Sequence, residues 1–207
     1  MPPLVAVLDY GIGNLRSAQK SLERIGADAR LTADRGLVAD AHAVVLPGVG
    51  NFGRCMEALR DARLDDVALG AIEGGRPFLG ICVGMQMLFD ASEECPGTVG
   101  LGVIPGRVRW LPHGVKRPQM QWNVLEPTRP GSLFASADDR AWVYFLHSFH
   151  AVPDDPGVVA ATCDYGGPVV AAVERGNVAA VQFHPEKSAA AGLGLLARWT
   201  ATIAVPA

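Results

Sequence analysis

The chain's 207 residues are enough to bury one sizeable core, and 49% apolar with 19% charged residues places it among globular rather than disordered sequences. A formal net charge of −3, with no run of several basic residues, excludes the phosphate-neutralising surplus of a nucleic-acid binder. No charged segment precedes the apolar run Leu4 to Leu8 and no apolar stretch reaches bilayer length, so a soluble, cytoplasmic chain with no membrane partner is expected.

Leu4 to Leu8 reads as a buried strand, and Leu15, Ala18, Leu22 and Ile25 then recur at helical spacing up to Gly26. The intervening Gly11-Ile12-Gly13-Asn14 lacks the third glycine of a dinucleotide fingerprint, because Arg16 takes its place, so a tight strand-to-helix turn is the better account. Ala43 to Leu46 is a second strand, ending in Pro47-Gly48-Val49-Gly50-Asn51-Phe52-Gly53. That glycine density leaves the backbone free to approach a ligand. Met56, Leu59, Val67 and Ile72 predict helix from about Arg54 to Glu73, with a break near Asp61.

Pro77 to Ile81 is a third buried strand, and Met85, Leu88 and Phe89 follow at helical spacing. Between them Gly80-Ile81-Cys82-Val83-Gly84 has the layout of a nucleophile elbow. The flanking positions must be small because the turn brings them against the nucleophile's own backbone. A cysteine at a helix N-terminus is favoured as thiolate, the form that attacks carbonyl carbon. Read by itself, Cys82 is equally compatible with a small buried hydrophobe.

Beyond Phe89 the chain turns to short β-rich segments: Val103 to Trp110, Asn123 to Leu125, Ala141 to Leu146, Val158 to Cys163, Pro168 to Val173 and Asn177 to Phe183. Glu174-Arg175-Gly176-Asn177 reads as a hairpin connection, and a last helix is expected from about Ser188 to Ile203. The order predicts an α/β fold: an open mixed, largely parallel sheet flanked by helices, with a smaller antiparallel sheet in the C-terminal half. Ligands in such sheets bind beyond the carboxyl ends of the strands, where the Gly48–Gly50 loop and Cys82 both fall.

The last apolar strand runs into His184-Pro185-Glu186-Lys187-Ser188. A histidine leaving a buried strand, with a carboxylate two residues on, can supply the base and the orienting acid of a Cys–His–Glu triad. A hydrogen-bonded structural histidine is the alternative for His184 alone. His184-x-Glu186 also opens the zinc deaminase signature, but no Pro-Cys-x-x-Cys follows. Cys55, Cys82, Cys95 and Cys163 form no Cys-x-x-Cys pair and have no histidine at zinc spacing, so no disulfide framework, metal or other cofactor is expected.

Gly80-Ile81-Cys82-Val83-Gly84-Met85-Gln86 together with Phe183-His184-Pro185-Glu186 resembles the class I, triad-type glutamine amidotransferases. Asp9–Leu15, Pro47–Gly50 and Gln182–Ser188 narrow the resemblance, which spans the chain from Leu8 to the last helix, to the branch that serves a (β/α)8 cyclase in histidine biosynthesis. It implies one glutamine amidotransferase domain over residues 1–207, with L-glutamine as substrate and the cyclase as heterodimer partner. Cys82 would attack the glutamine side-chain amide, with His184 as base and Glu186 as its orienter. Gly48, Val49, Gly50 and Val83 would supply the oxyanion site, the glycine-rich loop turning a peptide to complete it when the partner signals. Gln86, Ser148 and Phe149 would hold the substrate. Asn14, Met120, Trp122, Asn123 and Lys187 would face the partner. Gln119 and Gln121 depart from the family pattern, which has histidine and glycine there. Amidotransferases serving other acceptors, a self-standing cysteine hydrolase and a silent regulatory subunit are the competing readings. The Pro47–Gly50 loop disfavours the first, and the joint presence of Cys82, His184 and Glu186 the last.

Overall fold

In a computed structural model that describes residues 1–135 and 141–205, thirteen strands and six α-helices follow one another along the chain. The first half alternates: β1 Leu4–Leu8, α1 Leu15–Arg24, β2 Asp28–Thr32, α2 Arg35–Asp40, β3 Ala43–Gly48, α3 Phe52–Asp61, α4 Asp65–Glu73 and β4 Phe78–Cys82. Then come the short α5 Val83–Gln86, β5 Phe89–Ser92, β6 Ile104–Trp110, β7 Gln119–Val124, β8 Glu126–Pro127, β9 Trp142–His147 and β10 Phe149–Pro153. The chain ends with β11 Val159–Asp164, β12 Pro168–Arg175, β13 Val178–Val181 and α6 Ala189–Thr200.

Eight strands form the main sheet in the order β2-β1-β3-β4-β13-β12-β11-β8. Pairing is parallel from β2 through β13 and antiparallel from there outwards. β1, β3, β4 and β13 are buried almost throughout, as expected of parallel strands covered by helices on both faces. Two small sheets sit beside it, β10-β6-β5 and the antiparallel ribbon β7-β9. One continuous apolar cluster joins the strands to Leu22, Met56, Leu59, Leu195 and Trp199 on the helices.

The predicted α/β architecture is the one observed, and the departures have physical causes. The break predicted near Asp61 is observed: α3 ends at Asp61 and α4 begins at Asp65, the two divided where Arg63 adopts φ 52°. β2 and α2 carry weak apolar patterns because one face of each is exposed. The helix predicted through Phe89 stops after one turn, and Phe89 instead opens β5, paired with Ile104. Every residue from Val83 to Phe89 is buried, so helical spacing carries no information there. β7 begins four residues earlier than its sequence predicts. Its pattern is inverted, with Gln119 inside and Met120 and Trp122 outside.

Candidate active site

β3 and β4 run parallel in a register that sets Gly48 alongside Cys82 at the carboxyl edge of the sheet. Cys82 takes φ 56° and ψ −113°, a conformation that costs a non-glycine residue about 1–3 kcal/mol and persists only where its surroundings impose it. Gly84 is what allows the closure. A Cβ there would lie 1.9 Å from the Leu46 carbonyl oxygen, and one at Gly48 would lie 2.7 Å from the Gly84 nitrogen. The small residues around Cys82 are therefore a packing requirement, as the sequence implied.

β13 lies next to β4, and the chain leaves it to bring His184 to the same edge. His184 Nδ1 donates to Glu186 Oε1 at 2.9 Å, with both side chains almost fully buried. With Nδ1 committed to Glu186, Nε2 is the ring nitrogen left to serve Cys82. Burial alone would pull the imidazole down, but its hydrogen bonds with Cys82 and Glu186, and their charge, push it up to about 10. The backbone of His184 is strapped to β9. Its N–H donates to the Tyr144 carbonyl (2.9 Å), while Ser188 Oγ donates to the His184 carbonyl (2.6 Å) and accepts from the Tyr144 N–H (3.0 Å).

Cys82, Val83 and His184 open into a cleft of about 740 Å³ whose wall also includes Asn14, Val49, Gly50, Gln86, Ser148, Phe149 and Lys187. The chain thus brings most of its sequence-predicted site residues to one place. Gln86 spends its amide N–H groups on the Phe149 carbonyl (3.1 Å) and on Gln182 Oε1 (3.0 Å), so its own Oε1 is what it can offer a substrate. Val49 turns its carbonyl to the Cys55 thiol at 3.3 Å, and Gly50 has φ 87°. Asn14 donates to Glu186 Oε1, which places it against the triad carboxylate as well as on the cleft wall.

Three contributors carry no single-residue signal in the sequence. Glu94 lines the cleft, its carboxylate held by the Phe52 N–H at 2.7 Å. His147 lines it too, donating from Nδ1 to the Phe149 carbonyl at 2.8 Å; burial, partly offset by that bond, pushes the ring down to about 4. Gln182 lies against Cys82 within a segment whose motif value rested on His184.

Met120 and Trp122 project from β7 away from the core and share their face with directly opposite residues of β9. Met120 is paired with Leu146, Trp122 with Tyr144, and Val124 with Trp142. Met120 is 62% and Trp142 55% exposed. Asn123 is committed internally, donating to the Asp164 carbonyl and accepting from the Val124 N–H, both at 2.8 Å. Gln119 is wholly buried and points to Cys163, whereas Gln121 is exposed.

The family model described as Glutamine amidotransferase class-I matches residues 6–198. Over 199 residues the chain is 50% identical to the imidazole glycerol phosphate synthase subunit HisH of Geobacter metallireducens, covering 93% of this chain and 95% of that one. The same-named subunit of Methanothermobacter thermautotrophicus is 48% identical over 193 residues, covering 93% and 96%. PurLQS from Thermotoga maritima superposes with a TM-score of 0.74 at 22% identity over 94% of this chain and 96% of that one, a likeness of fold. A crystal structure titled glutamine amidotransferase does so with a TM-score of 0.73 at 23% identity over 91% and 94%. With nearly its whole length matched, the chain belongs to the class I glutamine amidotransferase family.

Proposed function

We propose that this chain is the glutaminase subunit of imidazole glycerol phosphate synthase, one catalytic domain over residues 1–207 that works in the cytoplasm with a (β/α)8 cyclase. The observation that carries the chemistry is the convergence of Cys82, in its strained elbow, and the buried His184–Glu186 pair on one cleft. The choice of acceptor follows from the relatives that share about half of its residues.

Glutamine enters with its carboxamide over Cys82, its α-amino and carboxylate ends held by Gln86 and Ser148, and Glu94 supplies the anion that an ammonium requires. The thiol proton passes to His184 Nε2, and Glu186 stabilises the resulting imidazolium through Nδ1–H. The sulfur adds to the amide carbon. The oxyanion is met by the Val83 N–H and an N–H of the Gly48–Gly50 loop, each such donor lowering the barrier by about 3 kcal/mol. Collapse breaks the C–N bond, the nitrogen takes the His184 proton, and ammonia leaves a glutamyl thioester. Water, deprotonated by His184, then releases glutamate and restores the thiol. The apolar face of Met120, Trp122, Trp142 and Leu146 borders the cleft through Leu146, so a cyclase seated there covers the exit and receives ammonia before water protonates it.

The test is glutamate release by the purified chain, alone and with the cyclase subunit and its nucleotide ligand, with Cys82→Ala as control. Release that depends on Cys82 and rises when cyclase and ligand are added is expected. No release in any condition, with the cyclase bound, overturns the reading.

A further inference from the structure

The helix behind the elbow is one turn long, so its dipole gives little help to a charged sulfur. The titratable groups around Cys82 are His184, with Glu186 behind it, Glu94, His147 and Lys187 on the wall of the same cleft, and Tyr10 and Cys55 on the side of β1 and α3. Burial keeps Tyr10 and Cys55 neutral, so they bring no positive charge.

A further donor is already in place. β13 pairs with β4 in parallel register, Val181 beside Ile81, and one step further brings Gln182 beside Cys82. The Gln182 side chain is wholly buried, and its Nε2 lies 3.8 Å from the Cys82 sulfur. Its orientation is set by its neighbours. Gln182 Oε1 accepts from Gln86 Nε2 at 3.0 Å, and Gln86 Nε2 also donates to the Phe149 carbonyl at 3.1 Å. Turning the Gln182 amide over would set one NH2 group against another. The positive end of the amide dipole therefore faces the sulfur.

We infer that Gln182 is a catalytic residue of this site, its amide N–H stabilising the Cys82 thiolate, with Gln86 and the Phe149 carbonyl holding that amide in its working orientation. A contact of 3.8 Å is long for a neutral thiol and shortens as the sulfur gains charge, so it favours the attacking form over the resting one. The same donor acts in the second half of the reaction. When water has added to the thioester, the C–S bond breaks, the electron pair returns to sulfur, and Gln182 stabilises that leaving group until His184 returns the proton. The inference rests on Cys82 being the nucleophile of the glutaminase reading, and it names a partner which that reading leaves out.

The experiment is the pH dependence of Cys82 alkylation by iodoacetamide, read on the Cys82 peptide by mass spectrometry so that Cys55, Cys95 and Cys163 do not interfere. It is run on the wild type, Gln182→Met and Gln182→Glu. A hydrogen bond to a charged group is worth enough to move the alkylation midpoint up by about one pH unit and to slow alkylation near pH 7 about ten-fold. The kcat for glutamine should fall with it. Gln86→Met, which frees the amide to turn without removing it, should give a smaller shift in the same direction and serves if the Gln182 variants do not fold. An unchanged midpoint in a folded Gln182→Met, or failing that in Gln86→Met, overturns the inference. Alkylation needs neither glutamine nor a partner, so a wild type that releases no glutamate would sink the glutaminase reading while leaving this result standing on its own.

Discussion

Asn14 Nδ2 donates to Glu186 Oε1 at 3.2 Å across 172 positions of sequence, on the same oxygen that receives His184 Nδ1. Glu186 Oε2 is buried with no hydrogen-bond partner among the described residues, so Oε1 alone fixes how the carboxylate is turned. Asn14→Ala should leave the fold intact and lower kcat for glutamine about ten-fold, the range of one hydrogen bond to a charged group. KM should change little, because Asn14 acts on the base's orienter. Steady-state glutamate release with the partner present separates the two constants, and a change confined to KM would assign Asn14 to substrate binding instead.

His147 gives a pH prediction with a definite sign. Its ordinary value of 6.5 is depressed to about 4 by burial in the folded chain. Between those two values the unfolded chain binds a proton that the folded one refuses, so stability is complete above about pH 6.5 and falls as pH is lowered towards 4. The loss approaches about 3 kcal/mol. His147→Asn, whose amide can still donate to the Phe149 carbonyl, removes that titration. Denaturant melts from pH 4 to 7 should show the variant losing less stability on acidification than the wild type. Parallel curves would refute the assignment.

Gly84→Ala tests the elbow as a packing device. The added carbon would sit 1.9 Å from the Leu46 carbonyl oxygen, backbone against backbone, with no flexible side chain to yield. Overpacking of this kind destabilises by about 3 kcal/mol or more, which in a chain of this size lowers Tm by roughly 6–12 °C. Calorimetry reads it directly. A Tm within about a degree of wild type would mean that β3 and α5 part without cost.

What was legible in the sequence and what was not divides along one physical line. The elbow announced itself because its glycines, its strand and its cysteine are contiguous, and His184 and Glu186 because a stiff Pro185 holds them two residues apart. The parallel core was legible from fully apolar strands. Asn14 reads only as a turn residue facing the partner subunit, since nothing near it in the chain reveals its contact with Glu186, 172 positions away. Glu94 carries no pattern at all; it reaches the cleft because β5 ends beside α3, where Phe52 holds its carboxylate. Local pattern misleads where burial and polarity are exchanged, as in β7, whose polar Gln119 is inside and whose Met120 and Trp122 are outside.

That exchange sets the last prediction. Met120 and Trp122 stood out in the sequence, whereas Trp142 sat in a plain β segment and enters only through its pairing with Val124 across the ribbon. Its indole, 55% exposed, extends the same apolar face away from the cleft, so a partner seated there must cover it. Exposed aromatics of this kind are the residues whose truncation most often costs about 2 kcal/mol or more of association, a weakening of roughly thirty-fold. Trp142→Ala should therefore reduce affinity for the cyclase subunit about as much as Trp122→Ala does. It should leave the thermal stability of the isolated chain and the alkylation of Cys82 where they were. Titration calorimetry against the cyclase measures the first, and unchanged affinity in Trp142→Ala with weakened binding in Trp122→Ala would confine the interface to the cleft end of the ribbon.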